Sequence, residues 1–317
     1  MTAYPPAPVP TMYFIGVTTG QSSIMKVFPA WARELGIDAV IRGIDFVPGD
    51  EPRRYRDAVT FIKADPNSKG ALVTTHKMNL LKASRDLFDW LDPHAETLGE
   101  ISSISKRGTA LRGHAKDPIT VGHALEAIVA DGYWRGTVAE LLVLGAGGSS
   151  LALTLYLHNR AKAGLDAPRR IVITDRAAHR LEEMRGIHAR LGFAIPADYV
   201  LPACTAEADR AVASLPPGSM IVNATGLGKD GPGSPLSDDV RFPERSIAWE
   251  FNYRGDLVFL KQAKAQSVAR SMTVEDGWVY FIHGWTRVIA EVFDIDIPAH
   301  GPGFDRLSQI ARDASRS

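Results

Sequence analysis

The 317-residue chain is 45% hydrophobic and 23% charged, which is enough apolar material for a full core and, by length, about two domains. Thirty-six basic and thirty-six acidic residues cancel to a formal net charge of zero, against the basic excess of a nucleic-acid binder and compatible with self-association as a homodimer. The single cysteine, Cys204, rules out an internal disulfide and a thiolate metal cluster, and it fits a reducing, cytoplasmic compartment.

Residues 1–10 carry Pro5, Pro6, Pro8 and Pro10 and lack the basic start and apolar run of a signal peptide, so an extended arm is expected. No stretch is long and apolar enough to cross a bilayer. Beyond the arm, strand and helix signals alternate, the pattern of an α/β protein with mostly parallel sheets. Strands are expected over 12–17, 38–44 and 71–74, and helices over 25–35, stopping at Gly36, and over 52–64. Residues 101–105 and 110–114 form a hairpin pattern joined by Lys106-Arg107-Gly108-Thr109. A helix follows Asp117-Pro118 to about residue 130. A fresh βαβ series then begins at 141–144, with strands near 171–174, 199–201, 220–223 and 246–249. A last helical pattern spans 277–292. The domains expected are residues 1–120, completed by 275–317, and a dinucleotide-binding domain over 121–274.

The apolar run 141–144 leads into Gly145-Ala146-Gly147-Gly148-Ser149-Ser150 and then a helix of alanines and leucines. Strand, glycine turn and helix in that order are the context a dinucleotide fingerprint needs. Glycine lets the backbone approach a pyrophosphate, and the helix N-terminus offers free amides to it. Ser150 stands where the strict pattern has its third glycine. The next strand ends at Asp175, whose carboxylate can accept from ribose hydroxyls and repel a 2′-phosphate, favouring NAD. Asp175 could equally cap a helix starting at Arg176, and Arg176 could contact a phosphate, which keeps NADP as the alternative.

Four further motifs follow one another in order along the chain. Val73-Thr74-Thr75-His76-Lys77 resembles Val-Thr-x-Pro-His-Lys, one residue shorter and without the proline. Gly113-His114-Ala115-Lys116-Asp117 resembles Gly-Tyr-Asn-Thr-Asp, and Asn223-Ala224-Thr225-Gly226-Leu227-Gly228 resembles Asn-Ala-Thr-Pro-x-Gly. Asp276-Gly277 resembles an Asp-Gly pair that opens a closing helix. In this order the four motifs resemble the shikimate/quinate dehydrogenase family, and the resemblance implies a substrate domain and a Rossmann-type domain with a cleft between them. It also implies Lys77 and Asp117 as catalytic residues and Gly145, Gly147, Gly148, Ser149, Asp175, Arg176, Asn223 and Thr225 at the cofactor. Chemically, a partly desolvated lysine can move the hydroxyl proton of a secondary alcohol while a carboxylate holds it in place. Taken alone, Lys77 reads as a solvated lysine and Asp117 as a helix cap. His76 and His114 read as structural or cleft-lining, and no metal site is expected.

The substrate-recognition positions depart from the family. Ser22 keeps the first serine of Ser-x-Ser-Pro, but Ile24 replaces the second; Ser102 replaces the asparagine of Ala-Val-Asn-Thr; Ala115 replaces that of Asn-Thr-Asp; and Gly284 stands where a glutamine reads a substrate hydroxyl. Phe251 lacks the hydroxyl of Tyr-Asn-Pro. Sites built to pair hydroxyls discriminate strongly, so these changes imply a small-molecule substrate other than shikimate, such as a cyclitol or hydroxy acid. Ser22, Thr74, Ser102 and His283 are the candidate substrate contacts, with Thr75, Ser103 and Trp285 beside them. The glycine-rich 226–233 segment is either a mobile cover or a surface loop. The function expected is NAD-dependent oxidation of a secondary alcohol of a polyhydroxylated molecule. The alternatives are a genuine shikimate or quinate dehydrogenase, a catalytically silent ligand sensor and, less well matched, a folate-linked dehydrogenase.

Overall fold

Short apolar runs bounded by glycine and polar turns become strands, and runs with three-to-four spacing become helices. In the computed structural model, which describes residues 4–229 and 231–316, they form two six-stranded sheets clothed by helices. The first half of the chain runs β1 (Thr11–Gly16), α1 (Ile24–Leu35), β2 (Val40–Asp45), α2 (Pro52–Ala64), β3 (Ser68–Val73), α3 (Lys77–Ser84), β4 (Trp90–Leu91), α4 (Pro93–Leu98), β5 (Ser103–Arg107), β6 (Ala110–His114) and α5 (Asp117–Ile128). The second runs β7 (Leu141–Leu144), α6 (Gly148–Lys162), β8 (Ile171–Thr174), α7 (Ala178–Leu191), β9 (Ala197–Val200), α8 (Thr205–Ala213), β10 (Met220–Asn223), β11 (Ile247–Glu250), α9 (Val258–Gln266), β12 (Thr273–Glu275), α10 (Trp278–Phe293) and α11 (Pro302–Arg316). The chain divides into two units, one holding the described residues up to Asp117 and from Ile282 onward, the other Pro118–Phe281.

In the first unit the strand order is β2-β1-β3-β5-β6-β4, with β1 parallel to both neighbours and β5–β6 an antiparallel hairpin. The hairpin register pairs Arg107 with Ala110, so the turn is the two residues Gly108-Thr109, and Gly108 takes the positive φ such a turn needs. Every residue of β1 is buried, as a strand covered on both faces must be. Helix α1 presents Ile24, Val27, Phe28 and Trp31 to the core and stops at Gly36 in the left-handed conformation. Trp31 Nε1 donates to the Leu307 carbonyl of α11 at 2.8 Å. The proline arm is docked from Tyr4, which stacks on Phe61, to Ala7, whose amide donates to Asp65. Residues 1–3 of the expected arm lie outside the described residues.

The second unit has the order β9-β8-β7-β10-β11-β12, all parallel. That is the doubly wound dinucleotide-binding order, which reverses direction between β7 and β10. Strands β7, β8, β10 and β11 are buried at every position. Their side chains fill two apolar layers, one built around Leu141, Val143 and Trp249, the other around Leu142, Ile221 and Phe259. The expected helix starting at Arg176 begins instead at Ala178, because Asp175 turns back to bind its own loop. Among the described residues, no helix is long and apolar enough to cross a membrane.

Candidate active site

Lys77 opens α3 directly after a backbone irregularity. Thr75 sits at φ +50°, and the His76 amide donates to the Thr74 carbonyl two residues back. A positive central φ with an i→i+2 bond is the signature of a γ-turn, a strained conformation for a β-branched residue. This tight turn lies within Val73-Thr74-Thr75-His76-Lys77, the motif one residue shorter than Val-Thr-x-Pro-His-Lys. It buries His76, whose Nδ1 lies 3.0 Å from the Tyr55 hydroxyl, and it leaves Lys77 half-buried. Burial pushes the His76 imidazole below its ordinary range, opposed by the Gly16 and Phe46 backbone and by Asp50.

Lys77 Nζ and Asp117 Oδ2 form an ion pair between the first residue of α3 and the first residue of α5. Their side chains are 20% and 15% exposed, dry enough to strengthen the pairing and open enough for a ligand to reach it. The strand ends behind the pair are laced together. The Ile101 amide donates to the Lys77 carbonyl, the Ser102 amide to the His114 carbonyl, and the Lys116 amide to Ser102 Oγ at 2.8 Å. Asp92 Oδ1 accepts from the Ala95 and Ala115 amides. On the far side of β6, Glu291 collects Lys116, Ser105 and Arg107, with His114 Nε2 at 3.2 Å, and its carboxyl is held far below the carboxylate range by His114 and Lys116 against burial.

The candidate substrate contacts divide. Thr74, at the end of β3, is partly open, and its hydroxyl donates weakly to Ile15 at 3.3 Å. Ser22 ends the turn Thr19–Gln21, which Asp45 holds through the Thr19 amide and hydroxyl. Ser102 and His283 have other partners: the Ser102 hydroxyl serves the Lys116 amide, and the His283 ring is buried, stacked 4.4 Å from Phe304. Trp285 is core, edge-on to Phe14. Ile24 and Ala115 are fully buried, whereas a side chain at Gly284 would meet nothing within 4 Å.

In the second unit Gly145 has φ +102°, and a Cβ there would come within 3.0 Å of the Ala224 carbonyl, so the β7–β10 crossing admits only glycine. A Cβ at Gly147 would meet no protein atom within 4 Å. Gly148 and Ser149 open α6, whose first-turn amides point out of the helix end. Ser150, in place of the third glycine, donates its hydroxyl to the Gly145 carbonyl at 2.6 Å and pins the turn. Asp175 accepts from the Ala146 and Ala177 amides, one on each oxygen, tying the glycine turn to the end of β8. A cavity of about 340 Å³ adjoins this turn, lined by Gly145, Gly147, Asp175, Arg176, Arg180 and Thr225 among others. Asn223 lies behind it, its side chain spent on Glu250 and on the Thr225 amide and hydroxyl. The 226–233 segment is anchored to its surroundings: Leu227 bridges Gly231, and the Leu257 amide bonds Gly228, while Asp230 lies outside the described residues. Gly277 lies so close to Phe251 that a Cβ would sit 2.1 Å from its carbonyl oxygen, and Asp276 caps α10 through the Trp278 amide.

Three groups escaped the sequence reading. Arg180, on the first turn of α7 and four residues past Arg176, also lines the cavity. Glu250 is buried among Asn223 and Asn252, and burial pushes its carboxyl up to about 7 against those donors. Glu100 is buried beside Lys77 and Asp117, its Oε1 without a hydrogen-bond partner. Its only sequence signal is an acid at the entry to the apolar-faced strand β5.

No family model matches the chain. It is 27% identical over 179 residues to the NADP-dependent shikimate dehydrogenase of Lactococcus lactis subsp. cremoris strain MG1363, covering 56% of the chain and 59% of that protein. To the corresponding enzyme of Rhodopseudomonas palustris it is 26% identical over 277 residues, covering 86% of the chain and 87% of the relative. The chain thus spans under two thirds of the Lactococcus relative. Among solved structures, shikimate dehydrogenase from Aquifex aeolicus superposes with a TM-score of 0.71 at 19% identity over 99% of the chain and 100% of the other. Quinate dehydrogenase from Corynebacterium glutamicum in complex with NAD gives 0.71 at 18% identity over 96% and 99%. The 5-ketofructose reductase of Gluconobacter sp. strain CHM43 gives 0.70 at 18% over 96% and 98%. These likenesses establish the two-part fold of an α/β domain and a Rossmann-type domain. In sequence and in fold the chain resembles shikimate dehydrogenases.

Proposed function

We propose that the protein is a nicotinamide dinucleotide-dependent oxidoreductase interconverting a secondary alcohol and its ketone, with Lys77 and Asp117 handling the proton. The observation that carries this reading is the half-buried Lys77–Asp117 ion pair, held by two strand ends in a chain that also carries a glycine turn at the reversal point of a Rossmann sheet. The residues present suit a dinucleotide: an open Gly147, free first-turn amides on α6 and an adjoining cavity. When bound, the dinucleotide supplies or accepts the hydride. Lys77 then gives or takes the hydroxyl proton, and Asp117 orients its ammonium and balances its charge.

NAD is the preferred cofactor in this reading, since Asp175 sets a carboxylate at the cavity where a 2′-phosphate would lie. Arg176 and Arg180 line the same cavity and support NADP as the second reading, alongside the names of the curated relatives. The substrate is a polyhydroxylated small molecule other than shikimate. Ile24 and Ala115 offer no hydrogen bond, the Ser102 hydroxyl is engaged, and Gly284 leaves space where the family's glutamine would stand. The test is a matrix of initial rates: NAD and NADP against shikimate, quinate, cyclitols and open-chain polyols. A cyclitol or polyol exceeding shikimate at least tenfold in kcat/KM is the expected result. Shikimate as the best substrate would make the protein a genuine shikimate dehydrogenase and overturn the substrate assignment.

A further inference from the structure

Between Gly99, which ends α4 in the left-handed conformation, and β5, the chain passes directly behind the Lys77–Asp117 pair. The Ile101 amide donates to the Lys77 carbonyl on one side, and Ser102 binds the Lys116 amide next to Asp117 on the other. Glu100 is the residue this passage carries inward. It is 6% exposed, its Oε1 has no hydrogen-bond partner, and the charges acting on it are Lys77 from α3 and Asp117 from α5. The other acid of this region, Asp92 on α4, has Oδ1 committed to two backbone amides and its other oxygen 3.8 Å from His114 Nδ1. A buried acid with no donor of its own beside a lysine that already has a counter-ion contributes nothing obvious to folding, because burying it ionised is costly.

We propose that Glu100 is a positioning residue for Lys77, a second buried carboxyl that holds Lys77 in its ammonium form beside Asp117. The inference rests on the reading of Lys77 and Asp117 above. In the reductive direction the substrate carbonyl carbon takes the hydride and its two electrons, which belong to the dinucleotide. The carbonyl oxygen takes a proton: one Lys77 N–H bond breaks, one O–H bond forms, and Lys77 is left as the amine. A proton from solvent then restores the third Lys77 N–H, and a Glu100 carboxylate favours that ammonium form. Burial raises the Glu100 carboxyl above its ordinary range, while the Lys77 charge pulls it down and Asp117 adds to the rise. Once ionised, Glu100 becomes a second anion that keeps Lys77 protonated to higher pH.

The test compares wild type with Glu100→Gln, which has the same shape but cannot ionise. The first readout needs no substrate: competitive acetylation of Lys77 against pH, followed by mass spectrometry. The inflection is expected about one pH unit lower in Glu100→Gln, a tenfold change in the Lys77 proton affinity. The second is the pH profile of carbonyl reduction, whose alkaline limb should move down by the same amount, with rates nearly equal on the acid side. Glu100→Leu should reproduce both shifts, and thermal unfolding identifies any variant that has lost its fold. An acetylation inflection that stays in place in folded Glu100→Gln and Glu100→Leu overturns the inference, even if turnover is abundant. A shifted inflection in a protein that turns over no alcohol or ketone would uphold the cluster and remove the enzymatic reading instead.

Discussion

At the residue scale the candidate site depends on Thr75. A β-branched residue at φ +50° carries local strain, on the order of 1–3 kcal/mol, that the surrounding β3 and α3 must over-determine. Asparagine tolerates that conformation, so Thr75→Asn is expected to raise stability by about 1 kcal/mol in chemical denaturation. It should also reduce turnover, because the turn that aims Lys77 relaxes. A stability gain with unchanged kcat would show that the turn is incidental to the site. Residues of this kind are where sequence reading falls short. Lys77 and Asp117 were legible as motif positions, but the γ-turn at Thr75 appears only in the backbone geometry. The Ser102 hydroxyl and the His283 ring looked available and are engaged by Lys116 and Phe304. A hydrogen-bond partner fourteen residues away and a stacking partner twenty-one residues away are not written in local pattern.

At the scale of elements, the glycine turn and β10–β11 make separable predictions. Gly147 has an ordinary φ and open space at its Cβ, so Gly147→Val should leave unfolding within about 0.5 kcal/mol of wild type. The same change should weaken dinucleotide binding at least tenfold by calorimetry, because its side chain fills the approach to α6. Undiminished binding would contradict the placement of the phosphates there. Glu250, at the end of β11, is raised from 4.5 to about 7 by burial. A carboxyl raised in the fold contributes stability fully present below its unfolded value near 4.5 and lost as pH climbs through 7. Relative to Glu250→Gln, wild type should therefore lose on the order of 3 kcal/mol between pH 4.5 and 7, read from urea midpoints. Parallel pH curves for the two proteins would rule this out. Strands β7, β8 and β10 could be read from sequence because each is an unbroken apolar run before a glycine or polar turn. Helix α3, the two-residue strand β4 and the short α4 could not, since none shows enough periods to stand above its loops.

At the scale of the whole molecule, the chain leaves its first unit, completes a doubly wound sheet and returns through α10 and α11. Helix α11 was missed, although Phe304, Leu307 and Ala311 repeat at three and four residues behind an N-terminal proline. Its polar composition masked that stripe. Because Trp31 and Leu307 join α1 to α11, truncation after residue 301 should expose the buried face of α1. Loss of several kcal/mol, with the first unit unfolding before the second in calorimetry, is the expected outcome. A single unchanged transition would show α11 to be dispensable. The parallel order of the second sheet was legible as a class, while the mixed order β2-β1-β3-β5-β6-β4 was not, because strand pairing between distant segments leaves no local signature.

The central claim is that Lys77 and Asp117 run alcohol–ketone chemistry in this protein, and single-turnover kinetics of Lys77→Ala and Asp117→Ala with the best alcohol and its dinucleotide test it most directly. Both variants should bind the dinucleotide as wild type does, within about threefold. The hydride-transfer step, followed by nicotinamide absorbance, should fall by roughly 10²–10⁴ in each. Hydride transfer at the wild-type rate in either folded variant would contradict the account.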